Sequence, residues 1–176
     1  MGARGQTVDP VFEATFRAAY PRALAVARRI VGDPAVAEEL AAEALTRAYV
    51  RWGKLADQPW REAWIMRVTA NLAIDTARRR PPAVAAAPAS TAAEDDLVVL
   101  RGALVAALRR LPRRQRDVVV LRYLTDLSET ETAGVLGVSE GTVKTHLHRG
   151  LAALRTTLGS DGLADGFDEE FHVITP

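Results

Sequence analysis

Cysteine is missing from the chain, and histidine is nearly so, with three residues. Without cysteine there can be no disulfide, no thiol catalysis and no cysteine-based zinc site, which is compatible with a cytoplasmic protein. The histidines are scattered, at positions 146, 148 and 172, and make a poor metal site. Long hydrophobic runs are also lacking. The opening MGARGQTVDP has no apolar core for a secretory signal, and no later run is long enough to span a bilayer. No membrane insertion is therefore expected. Lysine occurs only at Lys54 and Lys144, so arginine supplies most of the positive charge. With the abundant alanine, this points to GC-rich coding rather than to a function. No nucleophile–base pair, phosphate loop or metal cluster is visible, so neither an enzyme nor a cofactor is expected.

What is present is enough apolar material for globular cores, 48% of residues, and an uneven distribution of charge behind a net value of only +1. Residues 1–80 carry a net +4 and residues 98–159 a net +5. Between them Glu94, Asp95 and Asp96 form an acidic joint, and residues 160–176 form a tail of net −5. Two basic blocks of this kind attract phosphates, and salt weakens that attraction.

The most informative stretch is LSETETAGVLGVSEGTVKTHLHRGLAALRTTL, residues 127–158. Ser128 followed by Glu131 is a capping-box pattern that starts a short helix. Ala133, Val135 and Leu136 are its apolar contacts, and Gly137 ends it, where a left-handed backbone suits glycine. Ser139 caps a second helix, with Glu140 well placed in its first turn. Val143, Leu147, Leu151, Leu154 and Leu158 make one buried stripe. The opposite face carries Gly141, Thr142, Thr145, His148 and Arg149, flanked by Lys144 and His146, with no acid after Glu140. Small polar and basic groups opposite a core stripe suit entry into a DNA major groove. An ordinary helical hairpin with a solvated face is the plainer alternative.

Upstream, residues 12–31 read as a helix with Phe12, Phe16, Leu24, Ala27 and Ile30 toward its core. Pro21 would kink or divide it. Residues 35–52 read as a second helix with Val36, Leu40, Ala44 and Ala48 in register. Glu39, Glu43 and Thr46 lie off that stripe, as a solvated face or an acidic surface for a basic partner. Residues 53–59 read as a loop. Residues 60–80 form a third helix with Trp64, Ile65, Val68, Leu72 and Ala73 inward. Trp60 shares it with Arg61, Arg67, Asn71, Arg78, Arg79 and Arg80. Aromatics beside arginines can stack unpaired bases, although core packing is the simpler reading for Trp64. The run PPAVAAAPASTAA, residues 81–93, is a linker. Helical periodicity resumes over 95–111. Pro112 then opens a helix over 113–124, with Val119 or Val120 and Leu124 toward the core. Val118-Val119-Val120 favours a strand by propensity, but its neighbours do not.

Both halves together resemble a bacterial RNA polymerase sigma factor of the extracytoplasmic-function (ECF) type. The resemblance covers roughly residues 12–80 and 97–158. It rests on LPRRQRDVVVLRYL, on LS-x-x-E-x-A-x-x-LG-V-S-x-GTVK-x-x-LHR, on AEEL, and on W-x-x-x-V-x-x-NLAID-x-x-RRR. It implies an all-α fold of two small helical domains: region 2 over 1–80 and region 4 over 97–159, joined by a flexible linker over 81–96 and followed by an acidic tail over 160–176. It further implies a transcription initiation factor whose partners are core RNA polymerase and promoter DNA, and it leaves room for an anti-sigma protein. Glu39, Leu40 and Glu43 would then face the clamp helices of the polymerase. Trp60, Arg67, Asn71, Arg78, Arg79 and Arg80 would serve the minus-10 element, where a base leaves the stack for a protein pocket. Thr142, Lys144, Thr145, His146, His148 and Arg149 would read the minus-35 element, with Arg113 and Arg114 on phosphates.

Three positions depart from the family pattern. Ala42 stands where glutamine is common and weakens the expected clamp interface. His146 stands where arginine is common, removing a bidentate guanine reader. Thr132 replaces an aliphatic residue and would loosen its helix. Two other classes compete with the sigma reading: a helix-turn-helix regulator that works without polymerase, and an enzyme with an appended DNA-binding domain. For the former no dimerisation element is visible, and for the latter residues 1–80 are short and lack a catalytic constellation. The acidic tail is most simply a solvated tail; it could instead cover the basic recognition surface by mimicking DNA, or bind a regulator. Deletion of residues 160–176 strengthens DNA binding at low salt, measured by fluorescence anisotropy, if the tail covers that surface; unchanged affinity would show that it does not.

Overall fold

The protein is described by a computed structural model covering residues 9–79 and 92–160; Arg80, most of the expected linker and the acidic tail beyond Ser160 lie outside the described residues. The fold is all-α, and no strand occurs among the described residues. Helix α1 (Pro10–Val31) starts at Asp9, whose carboxylate accepts from the Val11 N–H at 2.8 Å. Pro10 occupies a position where the missing N–H costs nothing. Helix α2 (Pro34–Val50) repeats the device: Asp33 accepts from the N–H groups of Ala35 and Val36 at 2.9 and 3.3 Å. Gly32 makes the break between them in a left-handed conformation, φ 79°.

Pro21 does not divide α1. It lies on the exposed side, and the helix runs through it because the other side is held by Ala19, Ala23, Val26, Ala27 and Ile30. The register differs from the expected one: Phe16 is 40% exposed and Leu24 only half-buried. Small side chains explain the shift. Ala19, Ala23 and Ala27 of α1 and Ala37, Ala41, Ala44 and Ala48 of α2 are fully buried. Alanine faces let helix axes approach closely, and bulky Phe16 fits better at the rim. There it stacks on Tyr20, ring centroids 5.6 Å apart.

The expected loop at 53–59 begins as a helical turn, α3 (Trp52–Leu55). Its Trp52 Nε1 donates to Asp9 Oδ2 at 2.7 Å, tying the turn to the start of α1. This bond, followed by that from Val11, holds the Asp9 carboxyl below the usual carboxylate range. Helix α4 (Arg61–Arg79) lays Ala63, Ile65, Met66, Thr69, Ala70, Ala73 and Ile74 inward. Trp64, Val68 and Leu72, expected in the core, are half-buried on its flank.

Helix α5 (Ala92–Arg110) begins within the expected linker, where the sequence is rich in helix-favouring alanine. Pro112 caps α6 (Arg113–Val119), which continues into a π-helical turn over Val120–Leu124. The valine run is therefore helical. Val118, Val119, Val120 and Leu121 are all buried, since helices lie on more than one side of the segment. Helix α7 (Glu129–Leu136) has both arms of the capping box, and Gly137 ends it at φ 64°, ψ 42°. Helix α8 (Glu140–Ser160) buries Val143, Leu154 and Leu158, with Leu147 and Leu151 half-buried. Gly150 is buried where α8 crosses α6. A Cβ there would stand 2.7 Å from Val119 Cγ2.

Two substitutions test this packing. Gly150→Val gains helix propensity, but its side chain overlaps Val119 and Gln115. Net destabilisation of about 1–3 kcal/mol in urea unfolding is expected; a stabilised variant would refute the close crossing. Ser128→Ala costs about 1 kcal/mol by removing the cap. The Ser128 hydroxyl, and then its N–H, hold the Glu131 carboxyl below its usual range. A depressed carboxylate stabilises the fold fully above its unfolded pKa and loses that contribution as pH falls through the folded value. The difference between Ser128→Ala and the native chain therefore narrows in acid.

Candidate nucleic-acid interface and polymerase-facing surface

The turn before α8 is built by short hydroxyl contacts. Ser139 Oγ accepts from the Thr142 N–H at 3.2 Å, and the two hydroxyls lie 2.9 Å apart. Glu140 Oε1 accepts from the Thr130 hydroxyl at 2.7 Å, joining the starts of α8 and α7. With the backbone so held, Lys144, Thr145, His148 and Arg149 project together into solvent opposite the buried stripe. Thr142 and His146 are half-buried at its margins. Thr145 spends its hydroxyl on the Gly141 carbonyl, 2.9 Å away, which leaves its oxygen lone pairs and methyl to face outward. His146 has its Nδ1 buried without a hydrogen-bond partner. That places its Nδ1 against the protein, unlike the exposed His148.

Arg113 and Arg114 are exposed at the start of α6. Arg114 Nη1 donates to the Leu136 carbonyl at 3.3 Å, satisfying one of the orphan carbonyls at the end of α7. The sequence reading missed Glu129, whose Oε2 lies 3.5 Å from Lys144 Nζ and steadies that lysine. Helix position was the available signal, since Glu129 occupies the first turn of α7 beside the turn into α8. Thr132, flagged as a departure, is fully buried, and its hydroxyl has no partner. A buried unpaired hydroxyl is a local cost to α7.

On α2, Glu39 and Glu43 are exposed, and Glu43 accepts from Arg47 Nε at 2.7 Å. Leu40 is 9% exposed and belongs to the core. It supports the acidic face from beneath rather than standing on it.

The residues expected at the minus-10 element divide. Arg78 and Arg79 are exposed at the end of α4. Trp60, Arg67 and Asn71 are half-buried, and the first two face the second group of helices. Trp60 packs against Gly134 of α7, where an added Cβ would lie 3.0 Å from its Cδ1. Arg67 Nη2 donates to Asp117 Oδ2 of α6 at 2.9 Å. The Asp117 side chain is 1% exposed, so this is a buried ion pair. Trp64 carries Arg51 over its ring, 5.6 Å from the centroid. Sequence reasoning gave Asp117 no role; it is the only acid in LPRRQRDVVVLRYL, and that isolation among arginines was the signal available.

Comparison with known proteins matches the two halves of the chain to two regions of one family. Residues 15–81 match Sigma-70 region 2, and residues 101–154 match Sigma-70, region 4. The chain is 38% identical to an RNA polymerase sigma-E factor of Streptomyces avermitilis over 165 residues, 92% of this chain and 91% of that protein. It is 33% identical to the ECF RNA polymerase sigma factor SigW of Bacillus subtilis over 148 residues, 74% of this chain and 79% of that one. The fold is similar to that of CnrH in complex with the cytosolic domain of CnrY, with a TM-score of 0.58 at 24% identity over 85% of this chain and 88% of that one. Among the described residues no helix is long and apolar enough to cross a membrane. Two region matches in order, on a helical fold that presents a capped helix-turn-helix, lead to one conclusion: the chain belongs to the ECF sigma factors of the sigma-70 family, non-enzymatic initiation factors that direct core RNA polymerase to promoters.

Proposed function

We propose that this sigma factor works in the cytoplasm through three separate surfaces. Helix α8 reads the minus-35 element in the major groove through Thr142, Lys144, Thr145, His148 and Arg149, with His146 contributing from the margin. Arg113 and Arg114 hold the flanking phosphates. The α4 side, through Trp60, Arg67, Asn71, Arg78, Arg79 and Arg80, engages the minus-10 element as it opens, with an aromatic ring to stack a base and arginines for the backbone. The acidic face of α2, Glu39 and Glu43 above Leu40, docks on the polymerase. On this reading residues 1–80 act as the region 2 domain and 97–159 as the region 4 domain. Solved structures of similar fold include CnrH in complex with the cytosolic domain of CnrY, and the sigma factor RpoE in complex with the anti-sigma factor NepR from Bartonella quintana. This supports an anti-sigma protein as a further partner.

The observation that carries the reading is the exposed row Lys144, Thr145, His148 and Arg149, held on a capped helix opposite a buried stripe. No comparable observation favours a regulator that works without polymerase, since both halves match sigma regions.

Two measurements test the proposal. Arg149→Ala and Lys144→Ala each weaken binding to minus-35 duplex by about 1–3 kcal/mol if they contact bases. A residue that only meets phosphate lowers the salt slope by about one and affects all sequences alike. Glu39→Arg with Glu43→Arg abolishes binding to core polymerase while leaving minus-35 duplex binding intact. Retained polymerase binding would remove α2 from the interface.

A further inference from the structure

Glu129, Glu131 and Glu140 lie at the junction of α7 and α8, and two of them are spent locally. Glu131 accepts from the Ser128 N–H and hydroxyl at 2.8 and 2.7 Å. Glu140 accepts from the Thr130 hydroxyl at 2.7 Å. Glu129 meets the recognition row instead. Its Oε2 lies 3.5 Å from Lys144 Nζ, with the glutamate side chain 31% exposed and the lysine 66%. Arg149 and His148 of the same row face no carboxylate among the described residues. Glu129 also sits in the first turn of α7, where the positive end of the helix favours a carboxylate. An exposed ion pair of this kind adds little to stability. Its effect on what Lys144 can bind is larger.

We propose that Glu129 is a specificity-determining residue for the minus-35 element: it lets Lys144 bind a base edge and denies it to the DNA backbone. The inference rests on the assignment of Lys144 to that element. A phosphate drawn to Lys144 would bring a full negative charge close to the Glu129 carboxylate, and the repulsion offsets much of the attraction. Base edges pose no such conflict, since acceptors such as guanine O6 and N7 carry only partial charge. The lysine ammonium has three N–H donors. One turned to Glu129 leaves two for acceptors in the groove. A lysine without a counter-charge holds any phosphate it reaches, on every sequence alike. Paired with Glu129, Lys144 contributes at matched sites and little elsewhere. Arg113 and Arg114, on α6, supply the general attraction to phosphate.

The test uses core polymerase reconstituted with the full chain. It is titrated on a fluorescein-labelled promoter fragment, mapped by run-off transcription, and on the same fragment with its minus-35 element scrambled. Fluorescence anisotropy gives the affinities between about 50 and 200 mM salt. Glu129→Gln keeps the size of the side chain and removes its charge. This variant binds the scrambled fragment more tightly, with a log–log salt slope steeper by about 0.9, the value of one added phosphate contact. Its gain over the native protein therefore shrinks about 3.5-fold across that salt range. Affinity for the intact fragment changes less, so the preference for the intact element falls. Glu129→Asp, which keeps the charge, retains the native slope. In a Lys144→Gln background, Glu129→Gln leaves the slope unmoved. A merely structural Glu129 would weaken both fragments alike without changing the slope, and that result overturns the proposal. So does a native slope and preference in Glu129→Gln while Lys144→Gln loses affinity for the intact fragment; the minus-35 assignment of Lys144 then stands. Lys144→Gln without effect on either fragment faults that assignment, and the specificity role falls with it.

Discussion

Helix α4 has to satisfy two partners at once, and the arrangement of the molecule follows from that constraint. One side of it completes the alanine-rich pair α1–α2 with Ile65, Met66, Ala70 and Ala73. Ala63, with Trp60 and Trp64 beside it, meets the second group of helices. A helix apolar over more than one stripe is stable only when each stripe is covered. The Arg67–Asp117 pair sits on that second side. Burying a charge pair yields little net stability, because the desolvation penalty offsets most of the attraction. Breaking the pair by removing one partner is costly, because it leaves the other charge buried without compensation.

The recognition element is rigid for a different reason. Its turns are held by local bonds: Ser128 with Glu131, Gly137 in its left-handed turn, Ser139 with Thr142, and Thr130 with Glu140. The crossing of α6 and α8 at Gly150 then fixes the pair as a block. A side chain that reads base edges must be held by its backbone, since free rotamers lose entropy on binding. Lys144 is further steadied by Glu129, whereas His148 and Arg149 stand free on the exposed side.

The contact between the halves uses an aromatic ring and arginines: Trp60, Arg67 and Arg101. Groups suited to bases and phosphates are equally suited to a glycine-lined surface and a carboxylate.

The all-α class, the caps, the α8 stripe and the sites of Lys144, His148 and Arg149 were determined by sequence alone, because each depends on residues within one or two turns. So was the family, through motifs spread over both halves. Only tertiary structure decided which flank of a helix was buried. Phe16 gave way to Ala19 and Ala23 because two helices approach closely on alanine. The valine run is helical as its neighbours indicated, and tertiary packing buries all of it. The pairing of Arg67 with Asp117, 50 residues apart, and the contact of Trp60 with Gly134 have no local signature. They arise when two surfaces meet, and the energy of that meeting is a property of neither segment by itself.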